Sequence, residues 1–114
     1  MKKIMILLFM LVMGCSSKDV ISSFKIVNNS NKTIKECNVT VSGQEYKFKN
    51  LAPQTEDKGE FVATSDSSYL FNVIFDDGIT IKKELGYVTY HFKFNDVFNI
   101  ESDDVVLLRE SVDK

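Results

Sequence analysis

Residues 37–49 alternate in a way that leaves one local structure open to them. In Cys37-Asn38-Val39-Thr40-Val41 the odd positions are apolar and the even ones polar. After Ser42-Gly43 the phase reverses, and Tyr46 and Phe48 stand between Glu45, Lys47 and Lys49. A period of two suits a strand with one wet face and does not suit a helix, whose neighbours lie three and four apart. Two such runs around a two-residue Gly-containing turn predict a β-hairpin.

The pattern recurs. Tyr69, Phe71, Val73 and Phe75 line one face of a second strand, with Leu70 and Ile74 on the other, so it is expected to be central and covered on both sides. Asp76-Asp77-Gly78 turns the chain, and Ile79 and Ile81 resume the alternation. Val88, Tyr90, Phe92 and Phe94 alternate with Thr89, His91 and Lys93 and predict one further strand. Weaker strand signals lie at 21–27, 60–64, 98–100 and 105–108. The stretch 50–59, with Pro53, Gly59 and several charges, is expected to be an exposed loop. No 3.6-residue pattern persists for three turns beyond the amino terminus.

Composition agrees. From Cys15 onward, 36 residues are Val, Ile, Thr, Phe or Tyr, against 7 that are Ala or Leu. β-branched and aromatic side chains fit a pleated, half-buried surface, whereas Ala and Leu favour helix. Seven or eight short strands predict an all-β antiparallel two-sheet sandwich of immunoglobulin-like form, with a small β-barrel as the alternative. The 114 residues allow one compact domain. A net charge of −2 with no basic run excludes a nucleic-acid binder of the usual phosphate-contacting kind.

The amino terminus reads differently. Met1-Lys2-Lys3 gives a positive start, and Ile4 to Met13 is an unbroken apolar run. Ten residues are too few to span a bilayer core, which takes about 20 in helix. A basic start, a short apolar core and a small residue at its end describe a secretory signal. Val12-Met13-Gly14-Cys15 resembles the lipobox of bacterial lipoprotein precursors: an aliphatic residue, a tolerant position, a small residue, then Cys. The resemblance implies cleavage between Gly14 and Cys15 and acylation of Cys15. A thiol is the nucleophile such a transfer needs, and two or three acyl chains, at about 0.8 kcal/mol per buried CH₂, anchor a protein stably. Ser16 after the Cys implies the outer membrane in a Gram-negative host. The expected organisation is therefore a signal peptide over 1–14, a lipidated tether over 15–20, a sandwich over 21–110 and a frayed tail over 111–114. Without Lys2 and Lys3, 12 basic residues face 16 acidic ones, a balance of −4.

Chemistry-bearing residues are few. With Cys15 acylated, Cys37 has no partner for an intramolecular disulfide. Sharing a face with Val39 and Val41, it reads as a small buried apolar residue, and Glu36 beside it would raise its pKa. His91 is the sole His and is expected to face solvent. One His and one Cys cannot make a zinc site, and neither Asp76-Asp77 nor Asp103-Asp104 has the spacing of a calcium loop, so both pairs read as turns. Asn28-Asn29-Ser30, Asn31-Lys32-Thr33 and Asn38-Val39-Thr40 fit the glycosylation pattern, which a bacterial lipoprotein does not normally use. No catalytic residues, metal site, cofactor or small-molecule substrate are indicated. Tyr87, Tyr90 and His91 near Gly86 form the one local group suited to a binding surface.

Asn28-Asn29-Ser30 with Thr33-Ile34, Asn50-Leu51-Ala52-Pro53, Phe75-Asp76-Asp77-Gly78 and Leu85-Gly86-Tyr87-Val88-Thr89 together resemble small β-sandwich lipoproteins of bacteria. With the lipobox, this implies a non-enzymatic envelope lipoprotein, held to the membrane through Cys15, that binds a protein partner. A narrower form is an inhibitor, immunity or exclusion lipoprotein directed at one toxin, lysozyme or phage receptor. An envelope-acting enzyme or enzyme accessory is the alternative from a different class.

Overall fold

The computed structural model describes residues 20–89 and 92–113. They form eight strands: β1 (Ile21–Asn28), β2 (Ile34–Val41), β3 (Gln44–Leu51), β4 (Glu56–Val62), β5 (Ser67–Phe75), β6 (Thr80–Val88), β7 (Lys93–Ile100) and β8 (Val105–Asp113). Two four-stranded sheets result, ordered β4-β1-β7-β8 and β3-β2-β5-β6. The all-β two-sheet sandwich is the architecture expected, and no closed barrel forms.

The wiring alternates between the sheets. Single strands and hairpins are dealt alternately to the two sheets, and β1 pairs with β7 in parallel, Phe24 opposite Asp96 and Ile26 opposite Phe98. The remaining pairings are antiparallel. Lettered in chain order, the sheets read D-A-G-H and C-B-E-F. An immunoglobulin constant domain reads A-B-E-D and C-F-G.

The core is the set of inward positions that the alternation marks. Phe24, Ile26, Cys37, Val39, Val41, Tyr69, Phe71, Val73, Phe75, Phe98 and Ile100 are all buried. Tyr69 stands edge-on to Phe98 at 4.5 Å between ring centres, and Phe71 tilts against Phe98 at 4.7 Å. Such pairings add to the area that each ring buries. Ser42-Gly43 turns the β2–β3 hairpin with both φ angles positive, at 50° and 73°. That is the twist that matches the flanking strands.

Side chains close the sides of the sandwich. On one side Gln44 Nε2 donates to Val62 O at 3.0 Å and the Tyr46 hydroxyl to Glu60 O at 2.6 Å, so β3 covers edge carbonyls of β4. On the other, Lys83 Nζ of β6 donates to Val105 O of β8 at 2.9 Å. Arg109 Nη2 of β8 donates back to Tyr87 O of β6 at 3.0 Å. Edge groups satisfied this way are poor templates for pairing with another chain. At one end, buried Asn28 donates to Lys32 O and Leu51 O and accepts from Ser30, tying two loops to β1.

Several expectations are corrected. Residues 56–59 are not loop but the first part of β4, with Glu56 opposite Val27 and Lys58 opposite Lys25. Their charges read as loop because an edge strand exposes most of its side chains. The loop proper is 52–55. The strand expected across 88–94 is two strand ends, β6 stopping at Val88 and β7 starting at Lys93. Alternation persists because Val88 and Phe94 both return to the core while the chain crosses between sheets. Leu70 is 52% exposed, so the outer face of β5 is open although the strand is central. Backbone pairing of Lys93 with Asp113 carries β8 beyond residue 110, where the domain was expected to end.

Candidate functional site

The tyrosine group singled out in the sequence can be placed only at Tyr87, since Tyr90 and His91 lie outside the described residues. Gly14 and Cys15 lie outside them too. Tyr87 is 55% exposed near the end of β6. Just before it, β6 gains a residue against β5: Tyr69 pairs with Leu85 but Ser67 pairs with Val88. Gly86 takes up the irregularity at φ 74°, a left-handed conformation that costs Gly nothing.

A small acceptor-centred cluster forms there. Thr89 Oγ1 donates to Asp66 Oδ1 at 2.5 Å. The Thr89 hydroxyl, then the Tyr87 phenol, hold the Asp66 carboxyl below its ordinary pKa, and Asp66 in turn raises the phenol of Tyr87.

Beneath it lies a feature with no counterpart among the residues picked from sequence. Asp96 of β7 points inward with a side chain that has no exposure. Arg109 Nε meets its Oδ1 at 2.7 Å and Nη2 its Oδ2 at 3.0 Å. The Tyr69 hydroxyl donates to Oδ2 at 2.7 Å. Arg109 also stacks on Phe94, 4.6 Å from the ring centre. Burial, then the Asp96 charge, pushes the Tyr69 phenol far above its ordinary value, and the Asp96 hydrogen bonds raise Arg109 further. A carboxylate so fully engaged is a strut between the sheets. A polar residue at an inward parity, Phe94-Asn95-Asp96-Val97-Phe98, was the available signal.

The other chemistry-bearing residues are dispersed. Cys37 is fully buried, and burial pushes its thiol up to about 12; desolvation is the cause, not Glu36. Asp77 is held low by the Ile79 backbone N–H and then by Lys32 at 3.0 Å. Asp104 is held low by Lys83 at 2.7 Å. Among the described residues no three of His, Cys, Asp and Glu are grouped to hold a metal ion, nor is any helix long and apolar enough to cross a membrane. A shallow open depression of about 180 Å³ lies on the outer face of the first sheet, lined by Ser23, Lys25, Lys58, Asn95 and Val97. It is smaller than most small-molecule sites. On the outer face of the second sheet, Asn38 and Asn72 are cross-strand neighbours whose amide oxygens are buried without a hydrogen-bond partner.

No family profile matches the chain, and no curated protein sequence does. A solved structure does: the NMR structure of a protein from Eubacterium rectale superposes with a TM-score of 0.54 at 14% identity. It covers 84% of this chain and 96% of that one. The likeness shows the fold alone.

Proposed function

We propose that this chain is a lipid-anchored envelope lipoprotein whose sandwich serves as a binding module for another macromolecule near the membrane. The observation that carries the reading is the order Lys2-Lys3, the apolar run Ile4 to Met13, and Val12-Met13-Gly14-Cys15. Acylation on Cys15 would leave the residues from 16 to 20 as tether to a strand that starts at Ile21. The engaged state of Asp96 and the buried thiol of Cys37 support a non-enzymatic role, since both of these reactive groups are built into the packing. A partner would be a protein, with no cofactor and no nucleic acid involved.

An inhibitor, immunity or exclusion lipoprotein is the narrower form of this reading. The balance of −4 from Cys15 onward favours cationic targets, which a negative surface attracts. In a Gram-negative host, Ser16 would send the protein to the outer membrane.

The test is fatty-acid labelling of the full chain in cells, comparing wild type with Cys15→Ala. The proposal expects label and membrane retention in the wild type. The variant should lose the label and accumulate as uncleaved precursor. Label that persists in Cys15→Ala would refute it.

A further inference from the structure

Strand directions give the sandwich two poles. β1 leaves Val20, and β7 runs parallel to it. The near pole, beside the tether, therefore gathers the Ser42-Gly43 turn, the 63–66 loop and Thr89 after Val88. The far pole gathers the loops 29–33, 52–55, 76–79 and 101–104. Strands of about eight residues put roughly 26 Å between them.

The poles differ in charge. Asp76, Asp77, Glu101, Asp103 and Asp104 all lie in far-pole loops, against one cation there, Lys32, which pairs with Asp77 as Lys83 does with Asp104. Among the described residues of the near-pole loops, Asp66 is the one carboxylate, and Thr89 and Tyr87 engage it. Exposed Lys93 opens β7 there. The poles also differ in exposed apolar side chains, the Tyr87 phenol being the one that meets a carboxylate, Asp66. Ile21 (53% exposed) begins β1 and Tyr87 (55%) nearly ends β6, both at the near pole. At the far pole, Ile79 (51%) directly follows the Asp76-Asp77-Gly78 turn.

We propose that the near pole seats on the headgroup region of a lipid bilayer, with Ile21 and Tyr87 as its interfacial contacts, and that the acidic far pole projects away. This rests on acylation of Cys15. Five residues, 16 to 20, at about 3.3–3.6 Å each reach no more than roughly 18 Å, so an acylated chain keeps Ile21 beside the surface. Tyrosine suits that layer, having an apolar body and a polar tip. An anionic lipid surface repels the far-pole carboxylates and so favours the same orientation. The far pole is then left open to a partner.

The test uses full-length acylated protein reconstituted in phosphatidylethanolamine–phosphatidylglycerol vesicles. An environment-sensitive fluorophore is placed on Ile21→Cys or, as the comparison, Ile79→Cys; buried Cys37 stays unlabelled, as labelling of the wild type checks. Lipids carrying a nitroxide at the headgroup should quench the fluorophore at position 21 several-fold more than at position 79, at any protein-to-lipid ratio. Equal quenching at both positions overturns the proposal. So does a position-21 signal that survives only at high protein density, because it reports a second copy rather than lipid. Failure of the wild-type protein to float with vesicles defeats the acylation itself, and the orientation with it.

Discussion

Arg109 grips Asp96 at two points, Nε on Oδ1 at 2.7 Å and Nη2 on Oδ2 at 3.0 Å, where the carboxylate has no contact with solvent. The pair links β7 to the edge strand β8, and through Tyr87 O it reaches the opposite sheet. Its cost is desolvation, and removal of one member leaves the other uncompensated. Arg109→Met is therefore expected to lower stability by about 2–3 kcal/mol, less than the roughly 3–5 for breaking a fully buried pair, because the Arg is partly exposed. Tyr69→Phe, which removes one of three donors to Asp96, should cost about 1–2 kcal/mol. The double variant Asp96→Asn, Arg109→Met should cost less than the sum of its singles. Urea unfolding followed by circular dichroism reads all of them.

Cys37 makes the fold sensitive to alkali. Its thiol moves from an ordinary 9.0 to about 12 on burial, so the folded state holds its proton where the unfolded state releases it. A raised value in the folded state gives stability that is complete below pH 9 and drains as pH climbs from 9 toward 12, at up to about 1.4 kcal/mol per pH unit. Tyr69, raised in the same direction, adds to the loss above its ordinary 10.0. Cys37→Ala should cost about 1 kcal/mol at neutral pH and flatten the decline that begins near pH 9. Unfolding midpoints between pH 7 and 11 check this, and a disulfide-forming reagent should leave the native thiol unreacted.

The three low carboxyls act at the other end of the scale. Asp66, Asp77 and Asp104 sit below their ordinary 3.8, held chiefly by Thr89, by the Ile79 N–H and by Lys83 respectively. A lowered folded-state value gives stability that is present above the unfolded value and lost as pH falls through the folded one. Unfolding midpoints should thus be flat from pH 7 to about 5 and fall below pH 4. Lys83→Met should make that fall shallower, because Asp104 loses its largest lowering contact.

Gly59 is fixed by space rather than by backbone angle. It lies directly across from Phe24, whose ring covers it, and a Cβ there would sit 2.7 Å from Cζ and 2.8 Å from Cε1. Phe24 is itself wedged among Tyr46, Phe48, Phe61 and Tyr69 and has little room to yield. Gly59→Ala should destabilise by about 1–3 kcal/mol through overpacking. Gly78→Ala meets nothing within 4 Å and suffers only its φ of 90°, a penalty of about 1 kcal/mol. Thermal unfolding of the two variants should rank them in that order.

β2 and β5 are legible in the sequence because one face of each is buried. Tyr69, Phe71, Val73 and Phe75 or Cys37, Val39 and Val41 state their parity without ambiguity. What local pattern could not show is which strand pairs with which. The parallel neighbours β1 and β7 stand some seventy residues apart, with no turn to announce them. The charges of β4 serve an edge and so resemble those of a loop, and the partners of Asp96, Tyr69 and Arg109, come from β5 and β8. The candidate site was legible only as far as Tyr87; the ion pair below it is a tertiary fact.

The intact mass of the polypeptide extracted from its native membrane tests the central claim most directly. The account predicts a chain that begins at Cys15, lacks the fourteen residues before it and carries diacylglyceryl on sulfur, with or without a third acyl chain on the amine. A polypeptide that retains Met1, or one that begins at Cys15 with an unmodified thiol, would contradict it.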